Sequence, residues 1–319
     1  MKPELFQIFG ESVPAYMTLL LIGFGLATFL SARAAKQMGL NHDTMIDLGL
    51  FSVIFGILGA RLLHVIADGY FWDYVHQCTD PTLVKWEITK AQCDRADGIW
   101  LAAQNVCQPA ERDCFAWAKF WRGGYAYYGG LIAATAYGFH FLKKEGFPVL
   151  RGADLVGMTM PLGLFFGRMG CFLGGCCFGQ HTDGPLGLRF PPFSPAAESQ
   201  WRAGELDSPL LQSLPVYPTQ LFEAIGCLTI SAFLMFYVRP RKRFDGELLL
   251  SFLGLYAVLR FGIEYFRADD RGELLGLSTS QLISIPILVA VVFFWRKLSQ
   301  KTQRALTTKQ NDSSSMASS

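Results

Sequence analysis

Seven apolar windows, separated by polar connections, limit this 319-residue chain to one class of fold. The windows hold 125 residues, yet only five of the chain's 54 charged residues fall inside them. The other 194 residues carry the remaining 49, about 25%, which is the usual proportion in soluble proteins. A soluble fold is therefore excluded, and the pattern predicts an all-α polytopic integral membrane protein with seven transmembrane helices. The windows are residues 16–32, 48–66, 125–142, 156–173, 220–238, 248–266 and 281–295.

Basic residues are concentrated next to alternate window ends, and this distribution predicts the orientation in the membrane. Lys and Arg near the ends of transmembrane helices mark the cytoplasmic side. We therefore expect the amino terminus outside, the carboxy terminus in the cytoplasm, and long outer loops at 67–124 and 174–219. A single domain is expected over 1–299, followed by a disordered polar tail at 300–319. The net charge of +2 indicates no nucleic-acid partner. The basic clusters between windows that predict this orientation are Arg33 and Lys36; Lys143, Lys144 and Arg151; and Arg239, Arg241, Lys242 and Arg243.

Four cysteines lie in the predicted outer loop 67–124. An even number of cysteines outside the cytoplasm suggests two disulfides, and three pairings are open. A zinc site is the alternative, although the spacing contains no pair of cysteines separated by two residues. The four residues are Cys78, Cys93, Cys107 and Cys114.

Five charged residues remain inside the windows, where each ionised side chain costs at least ~2.5–3.5 kcal/mol. With alternating helix directions, all five fall in the outer halves of their helices. Arginine suits the oxygens of a phosphate better than lysine does, and three arginines against two glutamates leave one positive charge for a phosphodiester. The alternative is a purely structural network of ion pairs, or side chains that reach the interface. The five are Arg61, Arg168, Glu223, Arg260 and Glu264.

Several motifs around these charges resemble one bacterial enzyme family. GRMGCFLGGCCFG at 167–179 is similar to the pattern Gly-Arg-x-Gly-Asn-Phe-x-Asn-Gly-Glu-x-x-Gly. YPTQLFE at 217–223 resembles His-Pro-Ser-Gln-Leu-Tyr-Glu, and YYGGL at 127–131 resembles Phe-His-Gly-Gly-Leu. GILGARLLHV at 56–65 and YAVLRFGIEYFR at 256–267 extend the resemblance. These motifs are those of the prolipoprotein diacylglyceryl transferases, in order and across all seven predicted spans.

The resemblance implies a lipid-modifying transferase of the bacterial inner membrane, with its site facing the periplasm or outer leaflet. The family transfers the diacylglyceryl group of phosphatidylglycerol to the lipobox cysteine in a prolipoprotein signal peptide, the first step of lipoprotein maturation. The expected partners are therefore phosphatidylglycerol, that signal peptide and membrane lipids. The chemistry requires neither a metal nor an organic cofactor.

The resemblance also assigns roles to individual residues. It implies that Arg168 and Arg260 bind the lipid phosphate, that Glu264 orients Arg260, and that Tyr128 stands at the position of a proposed base. The other implied substrate-binding or supporting residues are Arg61, Glu223, Tyr16, Tyr256, Gly129, Gly130 and Arg267.

Among the departures from the family pattern, three bear on the chemistry. Tyr128 replaces the histidine before Gly-Gly, and a tyrosine is the poorer base. Cys171 replaces an asparagine, and Cys176 replaces a glutamate and is followed by Cys177. The three thiols allow a structural disulfide, a reactive thiolate beside Arg168, or a soft-metal site. One functional hypothesis is a divergent diacylglyceryl transferase, and the alternative is a relative that uses the thiol cluster for redox chemistry or transfer to another acceptor.

Overall fold

The computed structural model is mostly helical, and each of the seven apolar windows corresponds to a helix. It describes residues 4–8, 11–67, 69–86, 90–95, 97–119, 124–208, 210–268, 273–274 and 276–317. Within these residues the helices are α1 Ala15–Gln37, α2 His42–Ala67, α3 Phe71–Thr79, α4 Lys90–Arg95, α5 Tyr127–Lys144, α6 Val149–Gly174, α7 Pro195–Arg202, α8 Thr219–Ala232, α9 Glu247–Glu264 and α10 Thr279–Ala317. Three antiparallel hairpins pair β1 Glu4–Ile8 with β2 Glu11–Pro14, β3 Gly98–Leu101 with β4 Val106–Pro109, and β5 Glu273–Leu274 with β6 Leu277–Ser278.

Five of the described helices are long and apolar enough to cross a membrane. A π-helical turn, Phe233–Val238, and a 3-10 turn, Arg239–Arg241, extend α8 without a break. Both α5 and α9 are shorter, at 18 residues, and α9 carries three charged residues. These helices support the predicted class, an all-α integral membrane protein. The five are Ala15–Gln37, His42–Ala67, Val149–Gly174, Thr219–Arg241 and Thr279–Ala305.

The chain forms two compact units, residues 1–46 with 147–319 and residues 47–146. In the first unit α6 is the central helix, because it packs against α1, α8 and α9, and α9 also packs against α10. The Ser31 and Thr159 hydroxyls join α1 to α6 at 2.8 Å. A hydroxyl pair of this kind satisfies polar groups within the helix interface. The first unit is thus organised around the helix that carries the glycine-rich motif.

A buried carboxylate on α6 fixes the beginning of α9. Asp154 is almost fully buried, and its Oδ1 accepts hydrogen bonds from the backbone N–H groups of Leu248 and Leu249 at 2.8 and 3.1 Å. Its Oδ2 accepts from the Gly246 N–H at 2.8 Å and from Lys242 Nζ at 2.9 Å. The first N–H groups of a helix have no partner within the helix and carry partial positive charge. Asp154 therefore serves as an N-terminal cap supplied from another helix.

The connection before α9 holds a second set of charges around this cap. Burial opposes the charge on Lys242, but its hydrogen bonds to Asp154 and Asp245 outweigh burial and raise the pKa of Lys242. Burial likewise opposes the charge on Asp245, yet hydrogen bonds from Lys242 and Arg151 lower the pKa of Asp245. The stability that Asp245 contributes is therefore present at neutral pH and is lost as the pH falls through its lowered pKa.

The segment between α6 and α8 is folded rather than an extended loop. Helix α6 ends at Gly174, and Gly175 adopts the left-handed conformation with φ of 71°, as the Gly174–Gly175 pair predicts. The segment then builds a small core around Phe190, Ala196 and Val216, all of them buried. The chain that follows the glycine-rich motif is therefore held in a defined position.

The second unit contains the four loop cysteines. Cys78 is joined to Cys114 and Cys93 to Cys107, which selects one of the three pairings that the sequence leaves open. Cys107 also lies in β4, whose hairpin with β3 brings it opposite Trp100. Disulfides of this kind form in oxidising compartments.

Helix α10 differs in length from the apolar window that predicts it. The helix continues to Ala317, through the polar residues for which the sequence predicts a disordered tail. Gln, Lys, Arg, Ala and Leu between positions 300 and 306 are good helix formers, which explains how the helix extends beyond the apolar stretch.

Removal of the Asp154 carboxylate is expected to destabilise the first unit. Asp154→Ala leaves Lys242 and the first N–H groups of α9 without their common acceptor, at a cost of about 3–5 kcal/mol. Thermal unfolding of the detergent-solubilised protein should show a clearly lower midpoint. Asp245→Ala is the matched control, because the half-exposed Asp245 pairs with the same lysine and should cost about 1 kcal/mol or less. Equal losses in the two variants would contradict the capping role.

Candidate active site

A single buried carboxylate, Glu223 on α8, joins the two arginines that the sequence singles out. Arg168 on α6 donates from Nε to Glu223 Oε2 at 3.0 Å. Arg260 on α9 donates from Nη1 to the same oxygen at 3.1 Å. Since Glu223 is fully buried, both arginines pair with a charge that water does not screen. Three helices are thus held together at one oxygen atom.

We call Glu223, Arg168 and Arg260 the ion-pair centre, and neighbouring side chains complete its hydrogen bonds. The Tyr256 hydroxyl donates to the other Glu223 oxygen, Oε1, at 2.9 Å. Arg260 Nη2 donates to Glu264 Oε2 at 3.1 Å and to Ser280 Oγ at 2.9 Å. Tyr256, Arg260 and Glu264 are four residues apart in turn, so they lie on one face of α9. The Arg260 guanidinium is therefore fixed from both sides by carboxylates.

The accessibility of the two arginines differs. The Arg260 side chain is 10% exposed, whereas that of Arg168 is 20% exposed and is the more open end of the centre. Arg267 is buried three residues beyond Glu264. Of the five charged residues inside the apolar windows, the first unit therefore holds Arg168, Arg260, Glu223 and Glu264, and the net charge of +1 counted from the sequence includes Arg61 of the second unit.

A cluster of three free thiols lies at the carboxyl end of α6. The Sγ atoms of Cys171, Cys176 and Cys177 all lie within 4.8 Å of one another. The first residues of α8 hold the backbone of this cluster: Gln220 Nε2 donates to the Cys176 carbonyl at 2.7 Å, and Thr219 Oγ1 donates to the Cys177 carbonyl at 2.8 Å. Both residues precede Glu223 by about one helical turn. The thiol cluster and the ion-pair centre are thus positioned by the same turn of α8.

Charged residues also connect the thiol cluster to the centre. Arg168 precedes Cys171 by three residues on α6, so their side chains share one face of the helix. Arg168 and Arg267 both lie within electrostatic range of Cys177. Tyr16, at the beginning of α1, interacts electrostatically with Arg168 and with all three thiols. Of the implied site residues, those of the first unit are therefore brought together.

The surroundings of the cluster act in opposite directions on the pKa values of Cys176 and Cys177. Hydrogen bonds from the Cys171 and Cys176 thiols lower the pKa of Cys177, and Arg168 and Arg267 act in the same direction against the effect of burial. For Cys176 the hydrogen bonds within the cluster raise the pKa, as burial also does. Its neighbours thus favour the ionised form of Cys177 over that of Cys176. Among the alternatives that the sequence leaves open, the structural disulfide is not formed.

The backbone after the cluster approaches α9 closely at a glycine. Gly179 N–H donates to the Tyr217 carbonyl at 2.8 Å, and the next residue donates to the Phe266 carbonyl at 2.8 Å. A Cβ atom at Gly179 would lie 2.4 Å from the Phe266 oxygen, a contact that no side chain can make. The last glycine of the motif thus permits the approach that brings Arg267 next to the cluster.

Arg61 lies in the second unit, and its guanidinium is bonded to the backbone there. It donates to the carbonyls of Ala116, Trp117 and Gly124 at 2.9, 2.8 and 3.2 Å, and it lies over the Tyr74 ring. These bonds join α2 to the segment before α5. The geometry favours the supporting role of Arg61 over direct phosphate binding.

The motif at the beginning of α5 also belongs to the second unit. Cβ atoms at Gly129 and Gly130 would lie 2.3 and 2.8 Å from the carbonyl oxygens of Gly59 and Gly56, so both glycines allow α5 to pack closely on α2. Tyr128 is exposed and contacts the ring of Tyr127. The two glycines have a packing role, and Tyr128 is left accessible.

Three residues of the site escape the sequence analysis. Thr219 and Gln220 lie inside the YPTQLFE motif, so the sequence already placed them in a segment of functional interest. Their contacts with the thiol cluster could not be deduced from the spacing of the residues. Ser280, in the first turn of α10, has no such signal in the sequence.

Helices of membrane-spanning length around a buried set of arginines and glutamates define a polytopic membrane protein with an internal polar site. The family model for prolipoprotein diacylglyceryl transferase matches residues 3–92 and 106–296. The chain therefore belongs to the prolipoprotein diacylglyceryl transferase family and is a transferase.

Individual relatives agree with this assignment over nearly their whole length. The chain is 31% identical to phosphatidylglycerol–prolipoprotein diacylglyceryl transferase 2 of Clostridium perfringens over 92% of the chain and 94% of the relative. It is 28% identical to the corresponding transferase of Clostridium tetani over 92% of the chain and 96% of the relative. It is 30% identical to that of Caulobacter vibrioides over 90% of the chain and 86% of the relative.

Loss of the Glu223 carboxylate is expected to destabilise the protein as well as disrupt the site. Glu223→Ala leaves Arg168 and Arg260 buried without their shared partner, which costs about 3–5 kcal/mol. Glu198→Ala is the matched control, since Glu198 also pairs with an arginine, Arg202, but both side chains are exposed, and such pairs contribute about 0–1 kcal/mol. The midpoint of thermal unfolding in detergent measures the loss of stability in each of the two variants. A Glu223 variant as stable as the control would show that the arginines do not depend on this carboxylate.

Proposed function

We propose that this chain transfers the diacylglyceryl group of phosphatidylglycerol to the lipobox cysteine of prolipoproteins, the reaction that gives its relatives their name. The observation that carries the proposal is the pair Arg168 and Arg260, held 3.0 and 3.1 Å from one buried Glu223 oxygen on the family's own motifs. Two fixed guanidinium groups match the oxygens of one phosphodiester. The names of the relatives include phosphatidylglycerol, a phosphodiester lipid, which favours this role over a purely structural network of ion pairs.

The reaction replaces a carbon–oxygen bond by a carbon–sulfur bond. The substrate thiol must first lose its proton, because the thiolate is the nucleophile. Its sulfur attacks the glyceryl carbon that bears the phosphate, and the bond from that carbon to the phosphate oxygen breaks. Glycerol phosphate leaves and carries the negative charge that the thiolate brought to the reaction. Arginines next to the phosphate stabilise the charge that develops on the leaving group.

Arg168 and Arg260 differ in their contacts, and this difference supports different roles in binding the phosphate. Glu223 and Glu264 hold Arg260 on both sides, so its orientation is fixed before the lipid arrives. Among the described residues Arg168 has one carboxylate partner, Glu223, and it is the more exposed of the two arginines, which favours it as the first contact of the incoming phosphate. Tyr256 supports the centre through Glu223.

The proposed topology has seven spans, with the amino terminus outside and the carboxy terminus in the cytoplasm. It adds α5 and α9 to the five long helices and depends on the positions of the basic clusters. On this topology the carboxyl ends of α6 and α9, and hence the ion-pair centre, lie toward the periplasmic leaflet. The lipobox cysteine of an exported precursor is accessible from that side.

Tyr128 remains the candidate for the position of the family histidine. Its exposure leaves the phenol accessible to substrate, and it is proposed to take part in proton transfer. A neutral phenol is a poor proton acceptor, however, so Tyr128 alone does not explain how the substrate thiol becomes a thiolate.

Complementation tests the proposed activity directly. Expression of the chain in a bacterium depleted of its own diacylglyceryl transferase should restore growth and the modification of prolipoproteins. Failure despite normal amounts of the protein in the membrane would count decisively against the proposal.

Substitution of either arginine should abolish this complementation. Arg168→Ala and Arg260→Ala each remove one half of the phosphate site, and lysine should restore little because it lacks the planar pair of donors. Arg202→Ala is the control, since the Arg202 side chain lies on the exposed face of α7. Incorporation of labelled phosphatidylglycerol into a lipobox peptide should fall by at least about 10²-fold in the two alanine variants. Near-normal transfer in either would overturn the phosphate-binding role.

A further inference from the structure

The proposed transfer needs a substrate thiolate, and a cluster of three thiols lies next to the phosphate-binding arginines. We propose that Cys171, Cys176 and Cys177 bind one zinc ion whose fourth position takes the lipobox thiol of the substrate. This inference rests on the proposed function for the identity of the incoming thiol. The metal site itself depends only on the residues of this chain.

The separation of the sulfur atoms fits a tetrahedral metal ion. With zinc–sulfur bonds of about 2.3 Å, the sulfur atoms of a tetrahedral site lie about 3.8 Å apart. The three Sγ atoms lie within 4.8 Å of one another, so a contraction of about 1 Å or less completes the site. Side-chain rotation can supply a movement of this size without any change in the helices.

The backbone of the cluster is held in place. Thr219 and Gln220 bind the carbonyls of Cys177 and Cys176 at 2.8 and 2.7 Å. Cys177 has a φ of 61°, a left-handed conformation that is unfavourable for a residue with a side chain. The surrounding hydrogen bonds thus maintain a conformation that the local sequence alone does not favour. Strained residues of this kind are concentrated at functional sites.

A second, independent observation concerns Gln220. Its Oε1 is buried and has no hydrogen-bond partner among the described residues, although its Nε2 binds the Cys176 carbonyl. A buried acceptor without a donor is costly, and native structures rarely retain one. A donor brought by a bound substrate, such as a backbone N–H next to the lipobox cysteine, would satisfy this oxygen. Gln220 thus positions the cluster through its Nε2 and leaves its Oε1 as an acceptor that a backbone N–H of a bound peptide can satisfy.

The charges around the cluster suit a thiolate-bound metal. Three thiolates and one zinc ion carry a net charge of −1, and the substrate thiolate brings it to −2. Arg168 and Arg267 lie within electrostatic range of Cys177 and offset this charge. Arg168 also belongs to the proposed phosphate site, so a metal-bound sulfur and the phosphodiester would meet at the same arginine.

The chemistry follows from the open fourth position. Three protein ligands with one exchangeable position are typical of catalytic zinc sites. A thiol that binds zinc is deprotonated, and its proton leaves to water. The zinc-bound sulfur then forms the carbon–sulfur bond while the bond from the glyceryl carbon to the phosphate oxygen breaks, and glycerol phosphate departs with the electron pair. The metal does not change its oxidation state.

A disulfide accounts for the cluster less well than zinc does. On the proposed topology the thiols lie on the same side of the membrane as the loop that forms two disulfides, where free thiols only a few ångström apart would be oxidised. A disulfide would leave one of the three cysteines unpaired. A bound metal uses all three and protects them. Zinc is favoured over copper(I), because three thiolates complete the trigonal site that copper(I) commonly adopts and leave no position for the substrate.

Metal content is the first test. The full-length chain is purified in detergent with a phosphine reductant, loaded with zinc, separated from excess metal, and measured by inductively coupled plasma mass spectrometry. About one zinc ion per chain is expected for the wild type and for Cys227→Ser, the control that removes a buried free cysteine outside the cluster. Cys171→Ser, Cys176→Ser and Cys177→Ser should each reduce zinc binding at least tenfold. Wild-type protein that retains no zinc would overturn the proposal, as would retention in all three variants.

Cobalt(II) provides the second test, on wild-type protein alone, so that it does not depend on the folding of any variant. Three thiolates around cobalt(II) should give sulfur-to-metal charge-transfer absorption in the near ultraviolet. A lipobox peptide should change that spectrum as its thiol enters the fourth position, whereas the same peptide with serine in place of cysteine should not. An unchanged spectrum with both peptides would show that the metal has no exchangeable position and would overturn thiol activation.

Transfer assays separate this inference from the proposed function. Removal of zinc by a chelator should abolish transfer, and addition of zinc should restore it. If the peptide changes the cobalt spectrum but no diacylglyceryl transfer occurs under any condition, the metal site stands and the proposed function fails. If the metal-free protein transfers at the normal rate, the proposed function stands and the role of zinc is refuted. A disulfide between any two of the three cysteines in protein taken directly from membranes, detected by mass mapping, would also refute it.

Discussion

The buried carboxylate of Glu223 is the constraint on which the rest of the site depends. A charge without exposure to water is tolerated only if it is paired and hydrogen-bonded. Arg168, Arg260 and Tyr256 satisfy this requirement from two neighbouring helices, so α6, α8 and α9 cannot shift relative to one another without exposing an unpaired charge. Burying an unpaired charge is costly, which makes buried charged side chains rare in a membrane. Because of the same cost, the positions of the two arginines beside Glu223 are well defined.

Asp154 plays an equivalent role at the other end of α6. There the partners are a lysine and the first backbone N–H groups of α9, whereas at Glu223 the partners are arginines whose donors also suit a phosphate. The first arrangement fastens α9 at its beginning, and the second controls the orientation of Arg260 near its end. Two buried carboxylates thus determine the alignment of α9 along α6, and the one at Glu223 pairs with the arginines of the proposed phosphate site.

The helices and the identity of the charged residues could be predicted from the sequence, because both depend on local composition. Hydropathy identified every helix that carries the site, and the cost of a buried charge singled out Arg168, Glu223 and Arg260. The pairing of both arginines with one oxygen could not be deduced, since it depends on how three helices cross. The partners of Arg61 could not be deduced for a related reason: backbone carbonyls, which leave no trace in a sequence, can satisfy a buried arginine as well as a glutamate can.

The departures from the family pattern are better understood together than one at a time. The resemblance implies a histidine as the base at the position of Tyr128, and a phenol is the poorer base. Replacement of the signature asparagine and glutamate by Cys171 and Cys176, followed by Cys177, supplies three soft ligands within 4.8 Å of one another. A metal ion at these ligands would lower the pKa of the substrate thiol directly, and a strong base would no longer be needed. On the proposed zinc site, the metal ion would therefore supply the deprotonation that the resemblance assigns to a histidine at the position of Tyr128.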